Sequence, residues 1–140
     1  VQRAVTLSVL ANIDVDNLAR ATDFYCSAFQ LRVGRRFGSS AVELLGASTA
    51  IYLLEKPSGT PAAADSPARR EYTRHWTPVH LDFVVAEIQS AIAQARNAGA
   101  RLEGEVRTHS WGRIAVMADP FGHGFCLIEF LGRGYDEIAA

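Results

Sequence analysis

The sequence predicts an α+β fold: two tandem βαβββ modules forming a curved, partly open mixed sheet around a cavity. Three observations carry the prediction. Each half of the chain reads strand, helix, strand, strand, strand. Sliding one half over the other by seventy residues sets Val15 on Val85, Leu18 on Ile88 and Ala21 on Ala91, and a fixed internal period marks a repeated unit. A unit of that size buries too little surface to be stable alone, so the two must share a core.

In the first half, Leu7 to Val15 is apolar with polar interruptions, as suits a strand. Asp16 or Asn17 then offers a short side-chain oxygen to the orphan amides of a helix start. Leu18, Ala21, Phe24, Tyr25 and Ala28 recur at helical spacing. Short strands follow at Leu31 to Phe37, Ala41 to Leu45 and Ala50 to Glu55, separated by Gly38-Ser39-Ser40 and Gly46-Ala47-Ser48.

The second half repeats the order. Val79 to Val85 reads as a strand, and Ile88, Ala91, Ile92, Ala95 and Ala98 form one helical stripe. Gly99 follows as the C-terminal cap, since it tolerates positive φ. Strands are expected at Arg101 to Val106, Arg113 to Met117 and Phe125 to Phe130, with the turn Asp119-Pro120-Phe121-Gly122 before the last. The final strands of the two halves match with a slip of seventy-five, which places Leu54 on Glu129. Gly132 to Glu137 reads as a turn and short helix. The expected organisation is a first module over 1–56, a linker or lid over 57–77, and a second module with a C-terminal extension over 78–140, one compact domain overall. The linker is rich in Pro, Ala and Arg, and has no period.

Of 140 residues, 49% are apolar and 21% charged, which predicts a folded soluble globule. The net charge of −1 gives no electrostatic reason to expect nucleic acid or an anionic membrane as partner. No apolar run approaches the roughly 20 residues of a membrane span, and Val1-Gln2-Arg3-Ala4-Val5 lacks the pattern of a signal peptide. Cys26 and Cys126 both lie in apolar segments and read as reduced core residues of a cytoplasmic protein.

Two residues stand out as chemistry. His80 opens the first strand of the second half, and Glu129 sits inside its last, the apolar run Phe125 to Phe130. A curved sheet can bring first and last strands side by side, so both are expected to face one cavity. An imidazole and a carboxylate suit a divalent transition ion or a general base pair. Unpartnered in a buried strand, Glu129 would cost several kcal/mol or take up a proton. Asp82 alternates onto the face of His80 and is either a third oxygen ligand or an exposed charge, the latter favoured. Trp111 and Arg113 offer a stacking surface and a bidentate grip for a planar or carboxylate-bearing ligand, with His109 beside them. His75 and Trp76 close the linker, where they anchor it or enter a pocket. Phosphate-binding glycine loops, a nucleophile elbow and Cys-x-x-Cys zinc spacing are absent from the sequence.

Two tandem βαβββ halves, the first opening on the helix segment "NLARATDFYCSAFQL" and the second carrying "HLDFVV", "AIAQARNAGARLEGE" and "DPFGHGFCLIEF", resemble the vicinal oxygen chelate superfamily. That group includes glyoxalase I, extradiol dioxygenases, fosfomycin-modifying enzymes and bleomycin-resistance proteins. The resemblance covers Leu7 to Leu131. It implies metal ligands on the first strand and late in the last strand of each half. His80 and Glu129 fall on these positions in the second half, Leu10 and Leu54 in the first, so the set is incomplete. Glu55 adjoins Leu54, but a one-residue step points it to the opposite face.

Two readings follow. One is a protein that binds a small aromatic or carbonyl-bearing molecule without a complete metal site or cofactor, as a homodimer, its groove lined by Trp76, Phe83, Trp111, Arg113 and Phe125. The alternative is a divalent-metal-dependent lyase, isomerase or dioxygenase (Zn, Ni, Mn or Fe) using His80 and Glu129. A third is a degenerate fold kept for partner binding.

Overall fold

A computed structural model gives the fold of residues 6–140; the first five residues, Val1-Gln2-Arg3-Ala4-Val5, on which the expectation about a signal peptide falls, lie outside the described residues. The first half comprises β1 (Ala11–Val15), α1 (Leu18–Phe29), β2 (Arg32–Phe37), β3 (Ala41–Leu45) and β4 (Ile51–Glu55). The second comprises β5 (Leu81–Val84), α2 (Ile88–Ala98), β6 (Arg101–Leu102), β7 (Arg107–His109), β8 (Gly112–Ala118) and β9 (Gly124–Phe130), then a 3-10 turn over Gly134–Glu137. The mixed sheet comes as two open sheets, one per module. The first runs β1-β4-β3-β2, the second β5-β9-β8-β6 with β7 also on β8. In each, the first and last strands are parallel neighbours, β1 with β4 and β5 with β9.

The strand expected over Arg101 to Val106 stops after two residues. Gly104 takes a φ of 80°, which breaks the extended path, and pairing resumes only at β7. The first strands are also shorter than the apolar runs that predict them, beginning at Ala11 and Leu81.

Local signals place both helices. Asn17 is the N-cap of α1, accepting from the Arg20 amide at 3.0 Å. Gly99 caps α2 at φ 122°, and its amide reaches the Ala95 and Arg96 carbonyls. The stripe Leu18, Ala21, Phe24, Tyr25 and Ala28 is buried, as is Ile88, Ile92 and Ala95 on α2. Both helices lie on one core, with Val15, Leu44, Ile51 and Leu53 from the first sheet and Ala115, Met117, Phe125 and Leu127 from the second. Burying each large apolar side chain there contributes about 1.5–3 kcal/mol.

Specific contacts lock the halves. Phe29 of α1 stacks on Phe83 of β5 with centroids 4.0 Å apart. The Tyr25 hydroxyl donates to Asp119 Oδ2 at 2.5 Å, and Asp119 Oδ1 accepts from the amides of Phe121 and His123. The Asp-Pro-Phe-Gly turn is thus pinned to α1 through a buried carboxylate. The segment between modules is tied down too: Arg70 pairs with Asp14 at 2.7 Å and Arg74 with Glu103 at 2.6 Å. His75 bridges to His123, whose ring nitrogen meets the Asp14 carbonyl at 2.7 Å.

Tyr25→Phe removes one donor from a buried carboxylate across the module boundary. The expected cost is about 1–3 kcal/mol in urea unfolding, with the secondary structure unchanged by circular dichroism.

Candidate functional site

Strand alternation gives the second sheet two chemically different faces. Register pairs Phe83 with Leu127, and Leu127 with Ala115. These point at the helices and belong to the core. The other set, Asp82 and Val84 of β5, Cys126, Ile128 and Phe130 of β9, and Ile114 and Val116 of β8, lies on the outer face.

The expectation that His80 and Glu129 share a hollow does not hold. His80 lies just before β5 with Asp82 and belongs to the outer face: its Nε2 is 3.2 Å from Asp82 Oδ1. Glu129 follows Leu127 by two residues and so faces inward, at the far end of β9. Five register positions separate the two, about 16 Å along the strands. Glu129 is also fully engaged. One carboxylate oxygen accepts the Ile88 amide at 2.8 Å, and the other meets Arg113 at 3.2 Å. It therefore holds an orphan donor at the α2 N-terminus, where a negative charge is favoured by the helix dipole. This is why a charge occupies an apolar strand.

The first module repeats the device. Glu55 accepts the Leu18 amide, the first residue of α1, at 3.0 Å. Glu55, not Leu54, is thus the counterpart of Glu129, and the slip between last strands is seventy-four. Sequence matching by hydropathy set the wrong neighbour on Glu129, and a one-residue slip exchanges the faces of a strand. Leu54 pairs with Asp14 on the outer face, and Leu10 precedes β1, 57% exposed.

The residues that do join His80 are Asp82 and Cys126. A ring nitrogen, a carboxylate oxygen and the sulfur all lie within 4.8 Å of one another. Cys126 is buried at the floor, 3% exposed. Burial first, then the charge and hydrogen bonding of Asp82, push its thiol up to about 11. Alone it is a neutral thiol at pH 7 and a poor nucleophile. Trp76 lies beside the His80 ring, centroids 5.0 Å apart, with the Arg74 guanidinium 5.2 Å from its own ring. Its indole rests on Gly124, where any β-carbon would collide with it. Cys126 was missed as a site residue in the sequence because its neighbours are apolar. The available signal was parity with Gly124 along β9, which puts it opposite Asp82.

The remaining expected residues separate. Phe83 and Phe125 stack around Phe29 inside the core and do not line the outer face. Arg113 is tied to Glu129. Trp111 stacks on His109, with planes 5° apart, and touches Tyr135 and Phe130. That aromatic cluster lies at the end of β9 opposite Trp76. On the first sheet, at the positions of Asp82 and Cys126, the outer face has Asn12 and Tyr52, which are register partners. Tyr52 and Arg35 both donate to the Glu43 carboxylate, at 2.9 and 2.6 Å. The Arg35 hydrogen bonds, with Tyr52 adding to them, hold Glu43 down to about 2.

Comparison with known proteins agrees with this architecture. Residues 11–128 match the model of the glyoxalase-like domain family. An uncharacterised protein of Mycobacterium bovis is 31% identical over 131 residues, covering 90% of this chain and 86% of that protein. The chain belongs to the glyoxalase-like domain family, within the vicinal oxygen chelate superfamily. Among solved structures, the fosfomycin resistance protein FosX of Listeria monocytogenes superposes with a TM-score of 0.71 at 19% identity, over 98% of this chain and 100% of that one. TnmS3, an antibiotic-binding protein of Streptomyces, gives 0.64 at 19%, over 93% and 100%. At these identities the two structures share the fold.

A divalent metal is implied by the superfamily. The pair His80 and Glu129 does not fit one, because the carboxylate is turned away and occupied. His80 with Asp82 and Cys126 does fit, as three convergent donors of types that transition ions take.

Glu129→Ala is expected to cost about 1–3 kcal/mol in chemical unfolding, and Glu55→Ala, at an exposed position, less. Glu43 contributes stability that is present above its ordinary value of 4.5 and is lost as pH falls toward about 2. Acid unfolding followed by tryptophan fluorescence is therefore expected to have a shallower slope in that window for Glu43→Gln than for the parent chain.

Proposed function

We propose that the chain binds a small aromatic or carbonyl-bearing molecule against the outer face of the second sheet, in a mode that needs no complete metal site. The observation that carries this reading is the make-up of that face. An indole 45% exposed, Trp76, lies beside His80, whose ring converges with Asp82 and Cys126, and Val84 is exposed on the same face. Ligand sites combine apolar walls with a few convergent polar groups, and an exposed indole supplies a stacking surface. Trp111, with His109 and Tyr135, offers a second such surface at the other end. Phe125 supports the face from beneath, and Arg113 serves α2 through Glu129. The neighbour described as antibiotic-binding and the fosfomycin resistance proteins make antibiotics sensible first probes.

The open face also argues for a homodimer. β1 and β5 are edge strands with no partner on their outer sides among the described residues, and an uncovered edge is a liability. A second copy laid across the outer face would convert it into a cavity. No helix among the described residues is long and apolar enough to cross a membrane. Two free cysteines accord with a cytoplasmic protein.

A second reading, a divalent-metal-dependent lyase, isomerase or dioxygenase, is favoured by the convergence of His80 with two further donors. A metal held there would polarise a substrate oxygen as a Lewis acid. Within that reading His80, Asp82 and Cys126 hold the ion, and Trp76 orients a planar substrate.

A thermal-shift screen of aromatic antibiotics and small carbonyl compounds tests the binding reading. A ligand at 100 times its Kd is expected to raise Tm by about 5–10 °C. The shift should shrink in Trp76→Ala, and in Gly124→Ala, whose methyl displaces the indole. No shift with any compound, or one indifferent to both substitutions, would refute the reading.

A further inference from the structure

We propose that the cleft between the two modules takes an extended peptide segment of alternating apolar and basic residues, which adds as a strand to the free edge of β5. The proposal goes beyond the small-molecule reading and does not depend on it, because neither Trp76 nor His80 lines this cleft.

The backbone of β5 supplies the pairing groups. Its pairing with β9 continues into the Val85 amide, which donates to the Ile128 carbonyl at 2.8 Å. Successive residues of a strand turn their amide and carbonyl to opposite sides. Those of Asp82 and Val84 therefore point away from β9, and they have no protein partner among the described residues. A row of unmet donors and acceptors on an edge strand is a template for another strand.

That edge opens on a cleft of about 680 Å³. Asp82 to Glu87 form one wall, and the end of α1 (28–31) with the turn 46–48 forms the other. The four residues of β5 span about 13 Å, enough to pair with four or five residues of an added strand. A folded sheet brought edge-on would meet the first module across the cleft, so the occupant is a free segment and not the sheet of a second copy.

The lining sets the chemistry of that segment. Phe29 and Phe83 stack with centroids 4.0 Å apart, yet both are only half-buried, and they line the cleft with Val85 and Ala91. Side chains of an added strand alternate, so every second one lands on this apolar surface and the others face the rim. The charged residues of the lining are Asp82 and Glu87, with no Lys, Arg or His beside them. Asp82 meets His80 at 3.2 Å on the outer face. Glu87 accepts the Ser90 amide, a bond that holds its carboxyl below the usual carboxylate range and keeps it ionised. Two acids without a cation in the cleft select basic side chains at the rim positions of the segment.

The test is titration of the full chain with a capped heptapeptide of alternating Lys and Val, followed by amide NMR. Saturable shifts at the Asp82 and Val84 amides, with slowed hydrogen exchange at both, are the expected result. The Glu/Val analogue should bind at least about tenfold more weakly. N-methylation of one alternate set of the peptide amides should abolish binding, and of the other set leave it intact, because a strand turns only one set toward its neighbour. Val84→Pro removes an amide that faces the cleft and spares the pairing with β9; it should weaken binding about tenfold, with circular dichroism reporting the fold. The methylated peptides decide the matter in the unsubstituted chain if that variant does not fold. Absence of shifts at Asp82 and Val84, equal binding of the Glu/Val analogue, or equal effects of the two methylation patterns would overturn the proposal. So would concentration-dependent protection of those amides without peptide, which would assign the edge to a second copy.

Discussion

Each module depends on one contact: a glutamate at the end of its last strand holds the first amide of its helix. Glu55 does this for Leu18 and Glu129 for Ile88. The contact ties each helix start to the face of the sheet that carries the core side chains. A helix N-terminus buried against a sheet leaves amides that must find an acceptor. A carboxylate answers that need with charge as well as a lone pair. Around it, alternation sorts everything else: Phe83, Phe125 and Leu127 inward, Asp82, Cys126 and Val84 outward.

The fold was largely legible in the sequence because it rests on local and periodic signals. The stripes of α1 and α2 and the stop at Gly99 are readable residue by residue, and the cap of α1 is narrowed to Asp16 or Asn17, of which the structure uses Asn17. Strand boundaries were less so. The break at Gly104 depends on a backbone angle that composition does not dictate.

The site was legible only in part. His80 and Trp76 do sit beside one another, and Asp82 shares their face. Glu129 misled because hydropathy cannot distinguish a carboxylate aimed at a cavity from one aimed at a helix end. Distinguishing them needs the register of β9 against β5, and a single-position error in register reverses the answer. Cys126 escaped for the complementary reason. Its side chain is chemically versatile but looks like filler in an apolar run.

The duplicated architecture divides labour along the grain of the pleat. Inward positions carry the helix-holding glutamates and the hydrocarbon, and they constrain both repeats alike. Outward positions carry no helix, and there the repeats differ: leucine, asparagine and tyrosine on one, histidine, aspartate and cysteine on the other. A scaffold of this kind can acquire new chemistry by rewriting alternate letters of a few strands, while the intervening letters keep the chain foldable.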